Sequence, residues 1–488
     1  MRPRCGLAVL GLALGCAPHL TPARLSEALS ACPQRLEDAA LRELSLYERC
    51  PLPEPLTQRV RNDYADDELG EPDFAPLVAL AGRVPREKFE YQLGEFVNPD
   101  GSLSGWYALQ SGGLLPDPLL APSLQVSFAA SSGPVPAPGA GRLQEPVSKD
   151  RPFRPERQVE LRKEAGGLGL PLAGVRVLID PGHTGGRFAE FEKRRFEWQR
   201  GVGAPVVIQE GDLTLKTALE LAAKLSARGA RVELTRMGPE PGHALDLTAF
   251  RPFADRLLRH LAMDEGFAEA REGLAPQART RLEVAAALFA VRKQFVFESL
   301  RERMRRGAAF EPDLIVSLHF NAGPWQGVGR GPQELVAMVR GNYEAGRLYN
   351  PSYRARALAD GLAIDEFNAS AHLGASCLRA MSRALGIPIA RENRYRDHAP
   401  IRTATGELSG VAAWNGALLR YATAPAVLLE GPFMNERDEI PRLREALDAP
   451  LGAPGTRTDQ YAEGVAQGIE AWARRWLAQT RNDFGPEL

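Results

Sequence analysis

The chain has 488 residues, 44% of them hydrophobic and 25% charged, and a formal net charge of -1. This is ordinary globular composition with length for two or more domains, and the balanced charge argues against nucleic acid or an anionic surface as a partner. No apolar run approaches the roughly 18–20 residues that span a bilayer.

Residues 1–16 have the pattern of an export signal: Arg2 and Arg4 ahead of a short apolar core from Leu7 to Leu14. The segment ends Ala13-Leu14-Gly15-Cys16, which resembles a lipoprotein cleavage box, although leucine is usual where Ala13 stands. We favour lipidation of Cys16 over ordinary secretion. Such an anchor holds a protein on the periplasmic or cell-envelope face of a membrane without spanning it. Export makes the remaining cysteines readable. Cys32 and Cys50 either close a loop, worth about 3 kcal/mol in an oxidising compartment, or remain free thiols. Cys377 also remains, and no cysteine spacing resembles a zinc site.

Residues 17–130 form an expected accessory region, first helical and then β-rich. Short helices broken by proline run to about Arg86. FEYQLGEF and GWYALQ then flank the turn signal NPDGS, which suggests a hairpin or small β unit. Residues 131–169, Pro/Gly/Ser-rich from Ser131 to Pro155, read as a linker.

Residues 170–480 alternate strand and helix, the pattern of an α/β domain whose mostly parallel sheet is flanked by helices. Val175–Asp180 is a short apolar strand stopped by Pro181-Gly182, so His183 stands at its carboxyl end. Glu210 precedes a helix in which Asp212 is a plausible N-cap, Leu215, Leu219 and Ala222 share a face, and Gly229 is the stop. A strand, RVELTR, ends in Arg236. The arginine-rich helices before Phe310 look like a solvated face. Asp313–Leu318 is a further strand, with His319 at its end and Asn321 close behind. ELVAMV is another. The last strand, Ala426–Leu429, ends in Glu430. If these strands are parallel, His183, His319 and Glu430 share one rim of the sheet and Glu210 reaches it. In open α/β sheets that rim is where ligands bind. Two histidines and a carboxylate with an open water position form a common catalytic zinc set.

These motifs resemble the zinc-dependent N-acetylmuramoyl-L-alanine amidases of the Amidase_3 type, which cut bacterial peptidoglycan. The matched segments, in order, are Asp180-Pro181-Gly182-His183, Glu210 before its leucine-rich helix, Thr235-Arg236, the Ser317/His319/Asn321/Ala322 strand end, and Pro425-Ala426 through Leu428 to Glu430. They cover roughly Leu170 to Ala478. Three departures stand out: Glu430-Gly431-Pro432-Phe433 where the family has Glu-x-Gly-Phe, a long charged interval between His183 and Glu210, and a large helical insert before His319. Within that interval Glu190, Glu192 and Glu197 compete weakly with Glu210.

The resemblance implies Zn²⁺ held by His183, Glu210 and His319, Glu430 as the base, and hydrolysis of the amide between N-acetylmuramic acid and L-alanine in wall remodelling or daughter-cell separation. Arg236 and Asn321 are either substrate or supporting contacts or plain structural residues. Peptidoglycan is the implied partner; a regulatory protein partner is open. The alternative from another class is a non-catalytic zinc- or peptidoglycan-binding protein with the same fold. His372 and His398 lie outside the motifs and read as ordinary surface or loop residues, with a substrate contact as the lesser alternative. No Gly-x-Ser-x-Gly, His-Glu-x-x-His or Gly-Lys-Ser/Thr element supports another hydrolase or nucleotide class.

Overall fold

The structure, a computed structural model, describes residues 21–53, 56, 74–118, 121–130, 160–161, 169–199, 205–241, 246–252, 254–255, 265–323, 328–343, 351–391, 399–402 and 408–483. The expected export signal and Cys16 lie outside them, as do His398 and most of the linker. No described helix is long and apolar enough to cross a membrane.

The chain forms two compact units, residues 1–64 with 246–293, and residues 65–245 with 294–488. This division crosses the boundaries that composition suggests. In the smaller unit, Thr21 caps the helix Pro22–Ala28, whose first residue is proline, a position where the missing N–H costs nothing. Cys32 and Cys50 are joined in a disulfide closing 18 positions. Leu25, Leu29 and Leu41 are buried, and Tyr47 donates its hydroxyl hydrogen to the Leu41 carbonyl at 3.0 Å. The helix Pro276–Ala309 contributes its residues as far as 293 to this unit and the remainder to the other.

The larger unit is built on a seven-stranded sheet. Its strands are β3 (Arg176–Pro181), β6 (Arg231–Leu234), β7 (Leu314–Phe320), β8 (Val336–Arg340), β9 (Ala399–Arg402), β10 (Leu408–Trp414) and β11 (Ala426–Gly431). The spatial order is β6-β3-β7-β11-β8-β10-β9. β6, β3, β7 and β11 run parallel, β8 is antiparallel to β11 but parallel to β10, and β9 returns antiparallel. The sheet is mostly parallel, as expected. Its central strands are apolar on both faces because helices cover both. Val177, Ile179, Val316 and Leu318 face the helices Glu210–Ala227, Ile364–Leu385 and Arg457–Asp483. The alternating residues Leu178, Ile315 and Leu428 face Met304 and Leu300 of the long helix and Leu418 and Leu419 of a short one.

Three local expectations are corrected. FEYQLGEF is helical, Arg86–Gln92 continuing as a π turn Leu93–Val97, because Phe89, Leu93, Phe96 and Val97 recur on the side that is buried. The β content of this region is β1 (Ala108–Gln110) and β2 (Gly113–Leu115). Leu114 shares a core with Phe89, Leu93, Tyr343, Tyr353 and Leu358, and Arg354 lies 4.0 Å over the Trp106 ring while pairing with Asp117 at 2.6 Å. In the helix Glu210–Ala227 the N-cap is Gln209, with Asp212 in the first turn, and the core-facing residues are Leu213, Ala218, Leu221 and Leu225. The buried stripe is thus offset from the Leu215/Leu219/Ala222 face. His372 is buried within the helix Ile364–Leu385 rather than on a surface or loop.

Because the disulfide constrains the unfolded chain, its removal should cost about 3 kcal/mol. Cys32→Ser should lower the melting temperature measurably and abolish the mobility difference between reduced and non-reduced protein on a denaturing gel.

Candidate metal centre

β3, β7 and β11 lie side by side in parallel register, with Asp180 opposite Ser317 and Glu430 opposite His319. Their carboxyl ends form one rim, and His183, His319 and Glu430 stand there, each partly open to solvent. Glu210, buried, enters from the first residue of its helix. Its Oε1 accepts from the Phe320 backbone N–H at 3.1 Å and contacts His319 Nδ1 at 3.2 Å; its Oε2 lies 3.5 Å from His183 Nε2. Among the described residues, His183, Glu210 and His319 form the group of metal-competent side chains, with one ligand atom of each within 4.8 Å of the others.

Gly182 makes the cluster possible. A Cβ there would lie 2.5 Å from the His319 ring and 2.6 Å from the Leu318 carbonyl. His183 takes a left-handed conformation, φ +54°, uncommon for a residue with a side chain.

The two carboxylates differ sharply. Burial works to raise the Glu210 pKa, but His183, the contact with His319 and Arg194 outweigh it and hold the group at about 2. For Glu430, burial and the Glu210 charge prevail over His319, pushing it up to about 7. Burial and Arg194 lower the His183 pKa despite the neighbouring carboxylates. For His319, burial is outweighed by Glu210 and Glu430, and its pKa is raised. An ionised carboxylate and two imidazoles at this spacing fit the nitrogen and oxygen donor set of a zinc site.

A family model described as N-acetylmuramoyl-L-alanine amidase, Amidase_3, matches residues 265–471. The chain carries an Amidase_3 catalytic domain. The match includes His319 and Glu430 and begins after His183 and Glu210. By activity class the protein is an N-acetylmuramoyl-L-alanine amidase. Solved structures similar to it include the amidase Ami1 from Mycobacterium smegmatis (17% identity, 62% of this chain and 98% of that one, TM-score 0.34). Another is the apo form of Ami1 from Mycobacterium abscessus (16% identity, 62% and 99%, TM-score 0.32). A third is the CwlD amidase from Clostridioides difficile in complex with the GerS lipoprotein (12% identity, 61% and 98%, TM-score 0.33). No curated protein matches the sequence.

In this amidase domain the remaining candidates have identifiable partners. Arg236 is buried and donates to the carbonyls of Pro181 at 3.0 Å, Gly238 at 2.7 Å and Gly211 at 2.7 Å. It ties the β3 turn to the start of the Glu210 helix. Asn321 accepts the Ala322 N–H on its side chain, at 2.8 Å, and the Met434 N–H on its backbone carbonyl, at 2.7 Å. Of the competing glutamates, Glu190 and Glu197 pair with Arg195, whereas Glu192 contacts His183 Nδ1 at 2.7 Å. The Gly431-Pro432 departure has a steric reason. A Cβ on Gly431 would lie 2.5 Å from the Tyr461 ring, and the Tyr461 hydroxyl bonds the Leu429 carbonyl beside Glu430 at 2.8 Å. Glu436 is occupied in capping the backbone N–H groups of Asp438 and Glu439.

One arginine of the long helix is not on a solvated face. Arg303 is 1% exposed and donates to the carbonyls of Pro181 at 3.2 Å and His183 at 3.1 Å, with Asp180 Oδ1 at 3.5 Å. Its neighbours Arg305 and Arg306 pair outward with Glu302. The local sequence is arginine-rich throughout, so only packing distinguishes the buried residue. Arg303→Met should leave Asp180 without its cation and the His183 carbonyl without its arginine donor, while the Pro181 carbonyl keeps Arg236. We expect a loss of about 3 kcal/mol, the size typical of breaking a buried pair, read by chemical denaturation.

Proposed function

We propose that this protein is a zinc-dependent hydrolase that cleaves the amide between N-acetylmuramic acid and L-alanine of peptidoglycan, in wall remodelling or daughter-cell separation. The carrying observation is the meeting of His183, Glu210 and His319 on one rim with Glu430 in register beside His319. In this reading His183, Glu210 and His319 hold the metal. Zinc in such a set supplies Lewis acidity toward the scissile carbonyl and lowers the pKa of a water to about 7.

The chain's own residues do the rest. Glu210, ionised far below neutrality, contributes a permanent negative charge to the set. Glu430, partly solvent-accessible and poised near 7, accepts a proton from the attacking water and returns it to the departing L-alanine nitrogen. A carboxylate of lowered pKa beside one of raised pKa is the environment-driven separation of roles that lets two like groups work together.

His183→Ala, Glu210→Ala and His319→Ala should each lose bound zinc and activity, measured by elemental analysis and by mass analysis of peptidoglycan digests. Glu430→Gln should keep zinc and fold yet lose about 10²–10⁴-fold in turnover. In the parent enzyme, turnover should fall as pH drops through a limb at or below about 7, because a protonated Glu430 cannot accept the proton. A stable, zinc-loaded Glu430→Gln enzyme with parent turnover would exclude Glu430 as the base.

Export and a lipid anchor at Cys16 belong to the same reading and are supported by the pattern of residues 1–16. Cys16→Ala should move the mature protein from the membrane fraction to the soluble one. A variant that still pellets with membranes and resists salt washing would refute the anchor.

A further inference from the structure

The segment between His183 and Glu210 folds back onto the first histidine. The helix Arg187–Phe191 is fastened by Phe188, stacked at 5.3 Å on Phe295, and by Phe191, edge-on to the same ring at 5.2 Å. Glu192 follows as its C-cap, and Arg194 lies two residues on, just ahead of β4 (Arg195–Trp198), which pairs antiparallel with β5 (Val206–Gln209). Both side chains reach His183. Glu192 Oε2 is 2.7 Å from Nδ1, and Arg194 Nε is 3.0 Å from Nε2.

These two contacts determine the tautomer. A guanidinium has only donors, so Nε2 of His183 is the acceptor. A neutral imidazole carries a single N–H, which is then on Nδ1 and donates to Glu192. Nε2, with its lone pair, is the nitrogen that lies 3.5 Å from Glu210 Oε2. The carboxylate is itself held, since Thr184 Oγ1 donates to Glu192 Oε1 at 2.8 Å and its side chain is 6% exposed. Arg303 donates to the His183 carbonyl at 3.1 Å.

We propose that Glu192 is a positioning residue for His183: its carboxylate fixes the Nδ1–H tautomer, keeps the lone pair on Nε2, the nitrogen beside Glu210, and so raises the affinity of the three-residue set for zinc. The inference rests on the metal reading above. Residues that orient a metal-binding histidine through its other nitrogen typically contribute 10–100-fold to affinity. Glu192 lies on the Nδ1 side of the ring, away from the nitrogen that meets Glu210. This separates its role from that of a ligand.

The test is zinc affinity of the full chain by competition with a chelating dye, beside a melt of the metal-free protein. Glu192→Gln, which keeps the shape and an acceptor, should weaken zinc about 10-fold. Glu192→Leu should weaken it about 100-fold, and Glu192→Asp, which keeps the charge, should recover part of the loss. Metal-free Glu192→Gln should melt with the parent; if Glu192→Leu does not fold, Glu192→Gln and Glu192→Asp carry the comparison. His183→Ala is the reference. Parent-like zinc affinity in Glu192→Gln, with loss in His183→Ala, would overturn the positioning role. Loss in Glu192→Gln as complete as in His183→Ala would also overturn it, by making Glu192 a ligand. Parent-like affinity in His183→Ala would instead overturn the metal reading itself.

Discussion

The site depends on one buried carboxylate. Asp180, fully inaccessible, accepts from Thr235 Oγ1 at 2.5 Å and from Ser317 Oγ at 2.8 Å, with Arg303 at 3.5 Å. Those partners stand just past the end of β6, within β7 and on the long helix. A single ion thereby ties adjacent parallel strands to a helix on one face of the sheet. Burial disfavours its charge, but Arg303 and the two hydroxyl donors keep the pKa below the usual value. A buried charge is tolerated only when paired and hydrogen-bonded. The immediate consequence is local: the turn that follows, Pro181-Gly182-His183, leaves a fixed point.

From there the rim is assembled by backbone register and close approach. Glu430 is level with His319 because β11 and β7 pair in parallel without a bulge. Glu210 reaches His183 and His319 because its helix starts where Arg236 bonds the Gly211 carbonyl. Glu210 also stands at a helix N-terminus, where unpaired N–H groups favour negative charge. The insert brings its own contribution, an aromatic anchor on Phe295 and two charged side chains on His183. A segment that lengthens the chain between two site residues therefore also braces one of them.

Much of this was legible in the sequence. Parallel strands read as apolar runs because both faces are covered, and β3, β7 and β11 did so with errors of only a residue or two at their ends. Strand-end placement was enough to put His183, His319 and Glu430 on one rim, since side chains at the carboxyl ends of neighbouring parallel strands share it whatever the helices do. Helices were harder to orient. The buried stripe of Glu210–Ala227 is shifted from the expected face, and FEYQLGEF is helical where an extended unit is expected, because its apolar spacing fits either period over so short a run.

The sequence alone determined the order of motifs and the chemistry of the residues at the strand ends, because both follow from residue type and local periodicity. Only the tertiary structure decided which of many similar charges matter. Arg303 is one arginine among several on its helix, and becomes structural because its face of that helix lies over Asp180. Glu192 is one of three glutamates in the insert, and alone meets His183 because the Phe188 and Phe191 anchor sets where that helix ends. The opposite pKa shifts of Glu210 and Glu430 likewise depend on which neighbours crowd each carboxylate. Burial and charge proximity are properties of the packed molecule, arising between residues far apart in the chain, and so no local pattern encodes them.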